Sequence, residues 1–510
     1  MIKGNIIEGI IKFNSGGNAY LVIDELTKDV QINKGHTGKA LHLDKVKVKI
    51  TAITPKTQGE VVEIIERIKD EFVGTLEISN KHAFFVADDD KIKSDFFIPL
   101  NKLNGGKTGQ KVVIKLTDWK EGKKNPNGEV IRIIGEAGEH ETEIHSIMET
   151  YGLPYKFSKN VLDEAENIPD EIPKEEFEKR LDLRELLTIT CDGFDAKDLD
   201  DALSVEYVDG NVKVYIHIAD VSYYVKENSK MYEEALSRST SVYLVDRVIP
   251  MLPEKLSNNL CSLNPNTDKL TYSFIFTLDN NGKVIDETFC KSIINSNFRL
   301  TYDEVQNVIE GGETHTKELK DSILLLNRYS KKINKLRDKS NPLKLNSGEV
   351  KFKLDENNKP IEIIFKYQND ANKLIENFMV LTNMRVCEFL TKKDVKNIHR
   401  THSSPDINKL QSLKSFVGTM GYDLDLTNED KIKESINILI NKVKGSPEED
   451  MINNLITRCM QKAIYETTNR GHYGLSVVYY THVTSPIRRV VDLKNAYLLN
   501  KTLPNNGYIK

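Results

Sequence analysis

Short runs in which apolar and polar residues alternate fill the first part of the chain. They include Ile6–Ile10, Tyr20–Val22 and Val46–Ile50, and turn sequences such as Ser15-Gly16-Gly17-Asn18 separate them. Alternation with a period of two is typical of half-buried strands. The pattern predicts a small β-barrel over residues 1–55.

The same pattern returns over residues 70–136 and predicts a second barrel of the same kind. Ala19-Tyr20-Leu21-Val22 in the first segment matches Ala83-Phe84-Phe85-Val86 in the second, which indicates an internal repeat. Aromatic side chains on the outside of such a barrel can stack on nucleic-acid bases, with neighbouring lysines at the phosphates. Tyr20, Phe84 and Phe85 are therefore candidate nucleic-acid-binding residues, and the alternative is that they belong to the barrel core.

The balance of charge changes after the second barrel. Residues 137–186 carry 14 acidic and 6 basic side chains, and we predict that they form an acidic connecting segment between domains. From residue 187 onward longer strands are followed by helices. This order predicts a large mixed α and β domain over residues 187–510, and an α+β multidomain fold for the chain.

Local signals specify parts of this domain. Asp209-Gly210 lies between two alternating runs and predicts a tight hairpin. Apolar residues at helical spacing predict helices over Tyr302–Glu310, Lys317–Arg337 and Asp370–Leu390, with Asp370 as the N-cap of the last one.

Composition excludes several classes of protein. The 510 residues are 39% hydrophobic and 29% charged, which is too apolar for wholesale disorder. The sequence shows neither a membrane-spanning run nor a secretory leader, so we expect a cytoplasmic protein without membrane contacts. Its five cysteines are far apart, which predicts free thiols rather than disulfides or a zinc site. A net charge of −4 means that any surface for a polyanion is local.

Five aspartates within ten residues form the sharpest chemical feature of the sequence: Asp192, Asp195, Asp198, Asp200 and Asp201. So many carboxylates repel one another unless a cation screens them, and hard oxygen ligands favour Mg²⁺, Mn²⁺ or Ca²⁺. The spacing of an EF-hand is absent, which disfavours Ca²⁺. We predict a Mg²⁺ site, with Mn²⁺ as the alternative ion and a solvated acidic turn as the alternative interpretation.

Metal-bound aspartates suit phosphodiester chemistry, in which metal ions stabilise the attacking and the leaving oxygen. Such a site also needs a cation at the phosphate, and Thr484-Ser485-Pro486-Ile487-Arg488-Arg489 offers hydroxyl groups and an arginine fork. Ser485, Arg488 and Arg489 are therefore candidate phosphate-binding residues. The alternative is that the paired arginines form a solvated face.

Several ordered motifs carry a resemblance to a known family. They include Thr190-Cys-Asp-Gly-Phe-Asp-Ala-Lys-Asp-Leu-Asp-Asp-Ala202, His217-Ile-Ala-Asp-Val-Ser222, Asp246-Arg-Val-Ile-Pro-Met-Leu-Pro-Glu254 and Thr481-His-Val-Thr-Ser-Pro-Ile-Arg-Arg489. On these motifs the whole chain resembles the ribonuclease R branch of the ribonuclease II family of 3′-to-5′ exoribonucleases. The amino-terminal repeat is similar to the two cold-shock domains of that family.

The resemblance implies two OB-fold barrels followed by an RNB-type catalytic domain. It also implies that single-stranded or 3′-tailed RNA is hydrolysed to 5′-mononucleotides, in RNA decay and quality control. The implied metal ligands are Asp192, Asp198, Asp200 and Asp201, and the implied catalytic residues are Asp200, Arg488 and Glu376. Tyr302 matches the tyrosine that stacks on the terminal base, and Tyr243 matches the one that helps to set the shortest product. With the barrel aromatics and the arginine turn added to these two tyrosines, the candidate RNA-binding residues are Tyr302, Tyr243, Phe84, Phe85, Tyr20, Ser485 and Arg489.

The sequence departs from the family pattern at three positions. Asn377 stands where the family usually has a second Glu, Val490 stands where it has a Tyr, and Leu345 stands where an aromatic partner of Tyr302 is expected. A clamp with one aromatic side would hold the RNA end less well, because stacking contributes roughly 1–3 kcal/mol per base.

The end of the chain also departs from the pattern. Only 21 residues follow Arg489, where the family continues into a helical segment and an S1 domain. We therefore expect a C-terminally incomplete catalytic domain, with a complementing chain as one candidate partner. Two alternative functions stay open: a catalytically weak RNA-binding protein of the same fold, and a phosphodiesterase that acts on DNA or small nucleotides.

Overall fold

The computed structural model describes residues 3–23, 29–54, 56–120, 122–345, 348–356 and 359–503, together with the backbone of 508–509. The chain divides into two compact units, residues 1–155 and 156–510.

The first unit holds two five-stranded barrels and one helix. Its elements are β1 (Ile6–Phe13), β2 (Ala19–Val22), β3 (Val30–Ile32), β4 (Lys45–Ala52), β5 (Gln58–Glu66), β6 (Glu71–Ile78), β7 (Ala83–Ala87), β8 (Phe96–Ile98), β9 (Gln110–Asp118), β10 (Asn127–Glu136) and α1 (His140–Thr150). The strand order is β1-β2-β3-β5-β4 in one closed barrel and β10-β8-β7-β6-β9 in the other. Read around each barrel, the two orders are the same, which confirms the predicted repeat.

Two predicted boundaries differ from the structure. The first barrel does not end at residue 55, because β5 pairs with β4 and closes the barrel as far as Glu66. Its residues are mostly exposed on the outer side, so the alternation that marked the other strands is weaker there. Residues 137–186 are not one connecting segment: α1 belongs to the first unit, and the two helices that follow residue 156 belong to the second.

The second unit is built on a seven-membered path of strands with helices on both faces. Its elements up to the start of the long helices are α2 (Lys159–Glu166), α3 (Lys174–Lys179), β11 (Leu181–Asp182), β12 (Thr188–Asp192), β13 (Asp201–Val208), β14 (Asn211–Ala219), α4 (Val221–Tyr224), α5 (Lys230–Arg238), β15 (Val242–Tyr243), β16 (Val248–Ile249), β17 (Asp268–Leu278), β18 (Val284–Asn295) and β19 (Phe298–Thr301). The sheet order is β11-β18-β17-β14-β13-β12-β19.

The remaining elements are mostly helical. They are α6 (Tyr302–Ile309), α7 (Lys317–Asp338), β20 (Glu349–Leu354), β21 (Pro360–Lys366), α8 (Asp370–Lys392), β22 (His399–Thr401), α9 (Ile407–Gly418), α10 (Glu429–Val443), α11 (Glu449–Cys459), β23 (Ile464–Glu466), α12 (Val490–Thr502) and β24 (Tyr508–Ile509), the last of which pairs with β18. Within the described residues, no helix combines the length and the apolar composition needed to cross a bilayer.

The core explains why the central strands are so apolar. One hydrophobic cluster joins the sheet to α6, α7 and α8, and a second cluster includes residues of α2, α5 and α12. The central strand β14 is buried from Val214 to Ala219, as expected for a strand that helices cover on both faces. All five cysteines are free and buried, which confirms the prediction of unpaired thiols.

Local predictions in this unit are largely confirmed. Asp209 and Gly210 join β13 to β14 and both have positive φ, as a type I′ turn requires. The three predicted helices are present, but the N-cap of α8 is Asn369 and not Asp370, because the Asn369 side chain accepts from the Asn372 backbone N–H. A helical subdomain made of α9, α10 and α11 has its own apolar core, and the sequence patterns did not single it out.

Candidate active site

The acidic loop, residues 192–201, leaves one strand and enters the next at the same end of the sheet. β12 ends at Asp192 and its neighbour β13 begins at Asp201. On its other side β12 runs parallel to β19, with Asp192 opposite Thr301. Since Thr301 caps α6, the first helical residue, Tyr302, lies beside the loop. The sheet register therefore brings two predicted site residues together that are more than a hundred positions apart in sequence.

Contacts from two directions fix the path of this loop. The Arg299 guanidinium donates to the carbonyl oxygens of Phe194 and Ala196, at 3.0 and 2.6 Å. The Ser262 hydroxyl donates to the Lys197 carbonyl at 2.7 Å and accepts from the Leu199 N–H at 3.1 Å. These bonds hold the aspartates in place without using their carboxylates.

Asp200 and Asp192 each have one buried carboxylate oxygen that accepts no hydrogen bond. Asp200 Oδ1 accepts from the Ile487 N–H at 2.8 Å, whereas its Oδ2 is buried with no hydrogen-bond partner and lies 3.5 Å from Arg488 Nε. Asp192 Oδ2 is also buried and without a hydrogen-bond partner. Asp198 differs, because its Oδ2 accepts from the Tyr243 hydroxyl at 2.7 Å. Asp195, the fifth aspartate, is exposed.

The electrostatics reflect this crowding. Burial first, and then the charge of Asp201, raises the pKa of Asp192 above its ordinary value. Burial also raises the pKa of Asp200 and of Asp201, and Arg488 opposes both shifts. Burial alone would lower the pKa of Arg488, but the aspartates around it hold that pKa above the ordinary value. Arg488 therefore offsets only part of the cost of burying these carboxylates.

The turn that follows Thr484 presents Arg488 to the loop. Asp492 is fully buried, and its Oδ1 accepts from the Ser485 N–H at 2.8 Å. The same carboxylate binds Arg489 through Nε and a terminal nitrogen, at 2.9 and 2.8 Å. Arg488 points the other way, and its guanidinium donates to the Ser485 hydroxyl at 3.1 Å. The two adjacent arginines thus have different partners.

Three known domain families match successive parts of the chain. An RNB domain matches residues 180–505, a cold shock domain matches 84–158 and a ribonuclease B OB domain matches 9–66. Ribonuclease R of Thermotoga maritima is 36% identical over 98% of this chain and 71% of its own length. Ribonuclease R 1 of Lactococcus lactis is 34% identical over 96% of this chain and 62% of its own length.

The chain belongs to the ribonuclease R family of 3′-to-5′ exoribonucleases. Among solved structures, Mycoplasma genitalium RNase R in complex with ribose methylated single-stranded RNA has a TM-score of 0.90 and 27% identity, over 97% of this chain and 79% of that chain. Family and fold therefore agree with the resemblance read from the motifs. These comparisons give no support to the expected complementing chain.

The candidate RNA-binding aromatics fall into an exposed set and a buried set in the structure. Tyr302 is partly buried, and its burial together with the charges of Asp192 and Asp201 raises the pKa of its hydroxyl above the ordinary value. In the second barrel, Phe84 is 36% exposed and lies edge-on to Phe97. Tyr20 of the first barrel is equally exposed. These positions are compatible with the predicted contacts to bases.

Phe85 is a wrong prediction for such a contact. It is 0% exposed and packs edge-on against Phe96 inside the second barrel. The alternation of the strand sends Phe84 outward and Phe85 inward, which the pair of identical residues could not reveal. The barrel-core alternative holds at this position.

Two residues of the arginine turn also have internal partners. Ser485 is buried and its hydroxyl accepts from Arg488, while the Arg489 guanidinium is held by Asp492. The structure therefore gives both residues contacts that shape the turn and orient Arg488. The sequence analysis missed Asp492, although its spacing of three residues from Arg489 on a helix was a usable signal for an ion pair.

Glu376 and the three family departures lie in different surroundings. Glu376 is on α8, with its carboxylate 3.9 Å from Arg337, and no hydrogen bond or ion pair joins it to the acidic loop within the described residues. Asn377 points into the helix pair α7–α8, where its amide donates to the Ser330 hydroxyl at 2.9 Å. Val490 is buried at the start of α12, and Leu345 packs on the core of the helical subdomain. Each departure thus fills a packed position.

The acidic loop has the type of ligand that a hard cation prefers, but its side chains are not arranged around one ion position. Two buried, unpartnered carboxylate oxygens and the raised pKa values are what a divalent cation would relieve. As they stand, however, no three acidic, His or Cys side chains in the described part of the chain converge on one point at which an ion could be held. Asp198 is turned to Tyr243 and Asp200 Oδ1 to Ile487, so two of the four predicted ligands use an oxygen elsewhere.

Proposed function

We propose that this chain hydrolyses single-stranded or 3′-tailed RNA from its 3′ end to 5′-mononucleotides, with Mg²⁺ as its cofactor. One observation carries the proposal: Asp192 and Asp200 each have a buried carboxylate oxygen that accepts no hydrogen bond, and that of Asp200 lies 3.5 Å from Arg488 Nε. Burying carboxylate oxygens without hydrogen bonds costs stability, so their occurrence together in one loop supports a functional role for it.

Asp192, Asp198, Asp200 and Asp201 would hold the ion. When bound, Mg²⁺ would neutralise these carboxylates and make an attacking water more acidic. Rotation of the Asp198 carboxylate away from the Tyr243 hydroxyl would free an oxygen for this purpose. Mn²⁺ has a similar preference for oxygen ligands and is the alternative ion.

The chain's own groups would bind and orient the RNA end. Arg488 is 44% exposed, with its Nε 3.5 Å from Asp200 Oδ2, and would bind the scissile phosphate, since its planar fork suits two phosphate oxygens. Tyr302, beside Asp192, would stack on the terminal base. Tyr243 would limit how far a short product can move, because its side chain is 52% exposed and lies beside the acidic loop.

A degradation assay with three substrates tests the proposal. Single-stranded RNA labelled at either end, the matched DNA and a cyclic dinucleotide would each be incubated with Mg²⁺ and with a chelator. We expect mononucleotides from the 3′-labelled RNA at once, a descending ladder from the 5′-labelled RNA, and neither with chelator. RNA that is bound but not cut would identify the RNA-binding alternative, and cleavage of the cyclic dinucleotide would identify the phosphodiesterase.

Two variants of the same loop provide the control. Asp200→Asn removes a buried carboxylate that faces Arg488, whereas Asp195→Asn changes an exposed one nearby. We expect degradation to be lost only in the first variant. Equal activity of both variants would refute the assignment of the acidic loop as the active site.

A further inference from the structure

A second cleft lies in the same unit, outside the acidic loop. Its volume is about 620 Å³, within the range of pockets for small ligands. It is formed by the first turns of α10 and by the loop over residues 469–478, and its lining includes His402, Glu429, Lys433, Arg470, His472 and Tyr473. None of these residues has a role in the site described above.

The loop that forms one wall is held in a fixed shape. His402 Nδ1 accepts from the Gly474 N–H at 3.1 Å, and its Nε2 donates to the Gln461 carbonyl at 3.0 Å. A Cβ atom at Gly474 would lie only 3.0 Å from His402 Nδ1, so the glycine permits this close approach. Gly471 has a φ of +73°, which other residues rarely adopt. The wall is therefore formed before any ligand binds.

One polar group in the cleft lacks a partner. Tyr473 is only 8% exposed, and its hydroxyl has no hydrogen-bond partner. Lys433 Nζ lies 4.2 Å from the centre of the Tyr473 ring and donates to the Ser476 hydroxyl at 3.0 Å. A buried hydroxyl without a partner costs about 1–3 kcal/mol. The oxygen itself is closed to solvent, so the acceptor atom of a ligand would recover that cost after a rotation of the Tyr473 side chain.

The cleft contains both positively and negatively charged side chains, and the negative ones would repel inorganic phosphate. Lys433 and Arg470 supply positive charge, and Arg470 Nε lies 3.3 Å from a carboxylate oxygen of Glu466. Glu429, one helical turn before Lys433, supplies a carboxylate that accepts from the Ser404 hydroxyl. Asp430 follows Glu429 and adds negative charge near Lys433. A ligand with a phosphate at one end and hydroxyl donors at the other matches this pattern better than a simple anion.

His472 adds an aromatic face. Its Nδ1 accepts from the Leu475 N–H at 3.2 Å, so the proton of the neutral ring is on Nε2. Burial and the neighbouring His402 lower the pKa of His472 to about 4, which keeps the ring neutral near pH 7. A neutral ring can stack on a base and donate one hydrogen bond to it.

We infer that this cleft binds a ribonucleoside 5′-monophosphate: Lys433 and Arg470 take the phosphate, Glu429 accepts from the ribose hydroxyls and His472 contacts the base. Because this ligand is the product class of the proposed reaction, the inference rests on the proposed function.

A series of ring contacts connects the cleft with the arginine turn, from His472 to Tyr480 at 5.3 Å and from Tyr480 to His482 at 5.5 Å.

Calorimetric titration with adenosine 5′-monophosphate tests the inference. The titration uses the full chain carrying Asp200→Asn, with chelator present, so that the acidic loop cannot bind the nucleotide through a metal ion. We expect saturable binding that Lys433→Gln weakens by about tenfold or more and that Tyr473→Phe weakens by about threefold. Lys442→Gln changes an exposed lysine in the last turn of the same helix and should leave the affinity within about twofold.

Three results would overturn the inference: absence of binding, binding that needs the metal, or equal affinity in Lys433→Gln, Tyr473→Phe and Lys442→Gln, provided that melting temperatures show all variants to be folded. Deoxyadenosine 5′-monophosphate should bind about fivefold more weakly, and equal affinity would refute the role of Glu429. RNA degradation by the wild-type chain, measured in parallel with Mg²⁺, separates the two proposals. Nucleotide binding without degradation would refute the proposed function and leave the cleft assignment standing.

Discussion

Asp200 and Asp220 are buried aspartates at neighbouring positions of the same sheet, and their surroundings are opposite. The Ala219 N–H donates to the Asp200 carbonyl across β13 and β14, so Asp220 follows directly after that contact. Asp220 accepts from Arg180 at 2.7 Å, from the Ser222 hydroxyl at 2.6 Å and from the Tyr223 N–H at 3.1 Å. Asp200 accepts one hydrogen bond, from the Ile487 N–H, and its other carboxylate oxygen accepts none and lies 3.5 Å from Arg488 Nε.

Their protonation behaviour differs accordingly. Burial would raise the pKa of Asp220, but the charge of Arg180 and the hydrogen bonds from Ser222 and Arg180 hold that pKa below its ordinary value. For Asp200 burial dominates and the pKa is raised. All partners of the Asp220 carboxylate belong to the folded chain, whereas we expect the Asp200 carboxylate to gain its missing partner, a metal ion, from solution. The following predictions test that distinction.

The largest effect should come from Asp200→Asn on RNA degradation. Loss of an essential catalytic group typically lowers turnover by about 10⁴-fold. The same change removes a charge from a crowded loop, so we expect the melting temperature to stay equal or to rise. Release of mononucleotides and thermal unfolding, measured on one preparation, check both parts. A variant that is unfolded, or one with normal turnover, would contradict the comparison.

Arg180→Met should have the opposite profile. It removes the partner of Asp220 and leaves a buried charge unpaired, which typically costs about 3–5 kcal/mol of unfolding free energy. Because Arg180 contacts no residue of the acidic loop in the described structure, activity per folded molecule should persist. Urea unfolding and an activity assay at low temperature provide the measurements. Arg184→Met, at a half-exposed arginine nearby, is the control and should cost far less.

When divalent cations are removed, the raised pKa values of the acidic-loop aspartates should appear in the pH dependence of the unfolding free energy. For these aspartates the folded protein binds more protons than the unfolded chain, so their contribution to stability is present below the ordinary value of about 3.9 and is lost as the pH rises through the raised values. Asp220 contributes with the opposite sign, because its stabilisation is lost as the pH falls through its lowered pKa.

In chelator, the unfolding free energy of the wild type should therefore fall with rising pH more steeply than that of Asp200→Asn. Mg²⁺ at a hundred times its dissociation constant should restore about 2.7 kcal/mol. Denaturant unfolding at several pH values, with and without Mg²⁺, makes the comparison. A wild-type profile that neither depends on Mg²⁺ nor differs from the variant would argue against a metal site at this loop.

The smallest effect should come from Tyr243→Phe. The change removes the hydroxyl that donates to Asp198, a contact on a side chain that is 52% exposed, and we expect a cost of about 1 kcal/mol or less in stability. If Tyr243 restrains short products, the length of the final undegraded oligonucleotide should change more in Tyr243→Ala than in Tyr243→Phe. Identical product ladders for both variants would remove the evidence for that role.

Local sequence patterns account for much of this fold. Alternating runs specified both barrels, Asp209-Gly210 specified a hairpin, and apolar spacing specified α6, α7 and α8, because these signals depend only on neighbours along the chain. The dense aspartates and the Thr481–Arg489 motif located the chemistry for the same reason. The first barrel's last strand and the helical subdomain were missed, since their patterns are weaker and their cores form only when distant segments meet.

Within each group of equivalent candidates, contacts between distant parts of the chain distinguish the role of one side chain from that of the next. Phe84 and Phe85 are adjacent residues of the same type, and the alternation along the strand directs Phe84 outward and Phe85 into the barrel. Arg488 and Arg489 are equally plausible phosphate ligands until Asp492 is seen to hold the second one. Asp200 and Asp220 are both buried aspartates, and their partners come from residues far apart in the chain. Burial and pairing depend on these long-range contacts, and no local pattern encodes them.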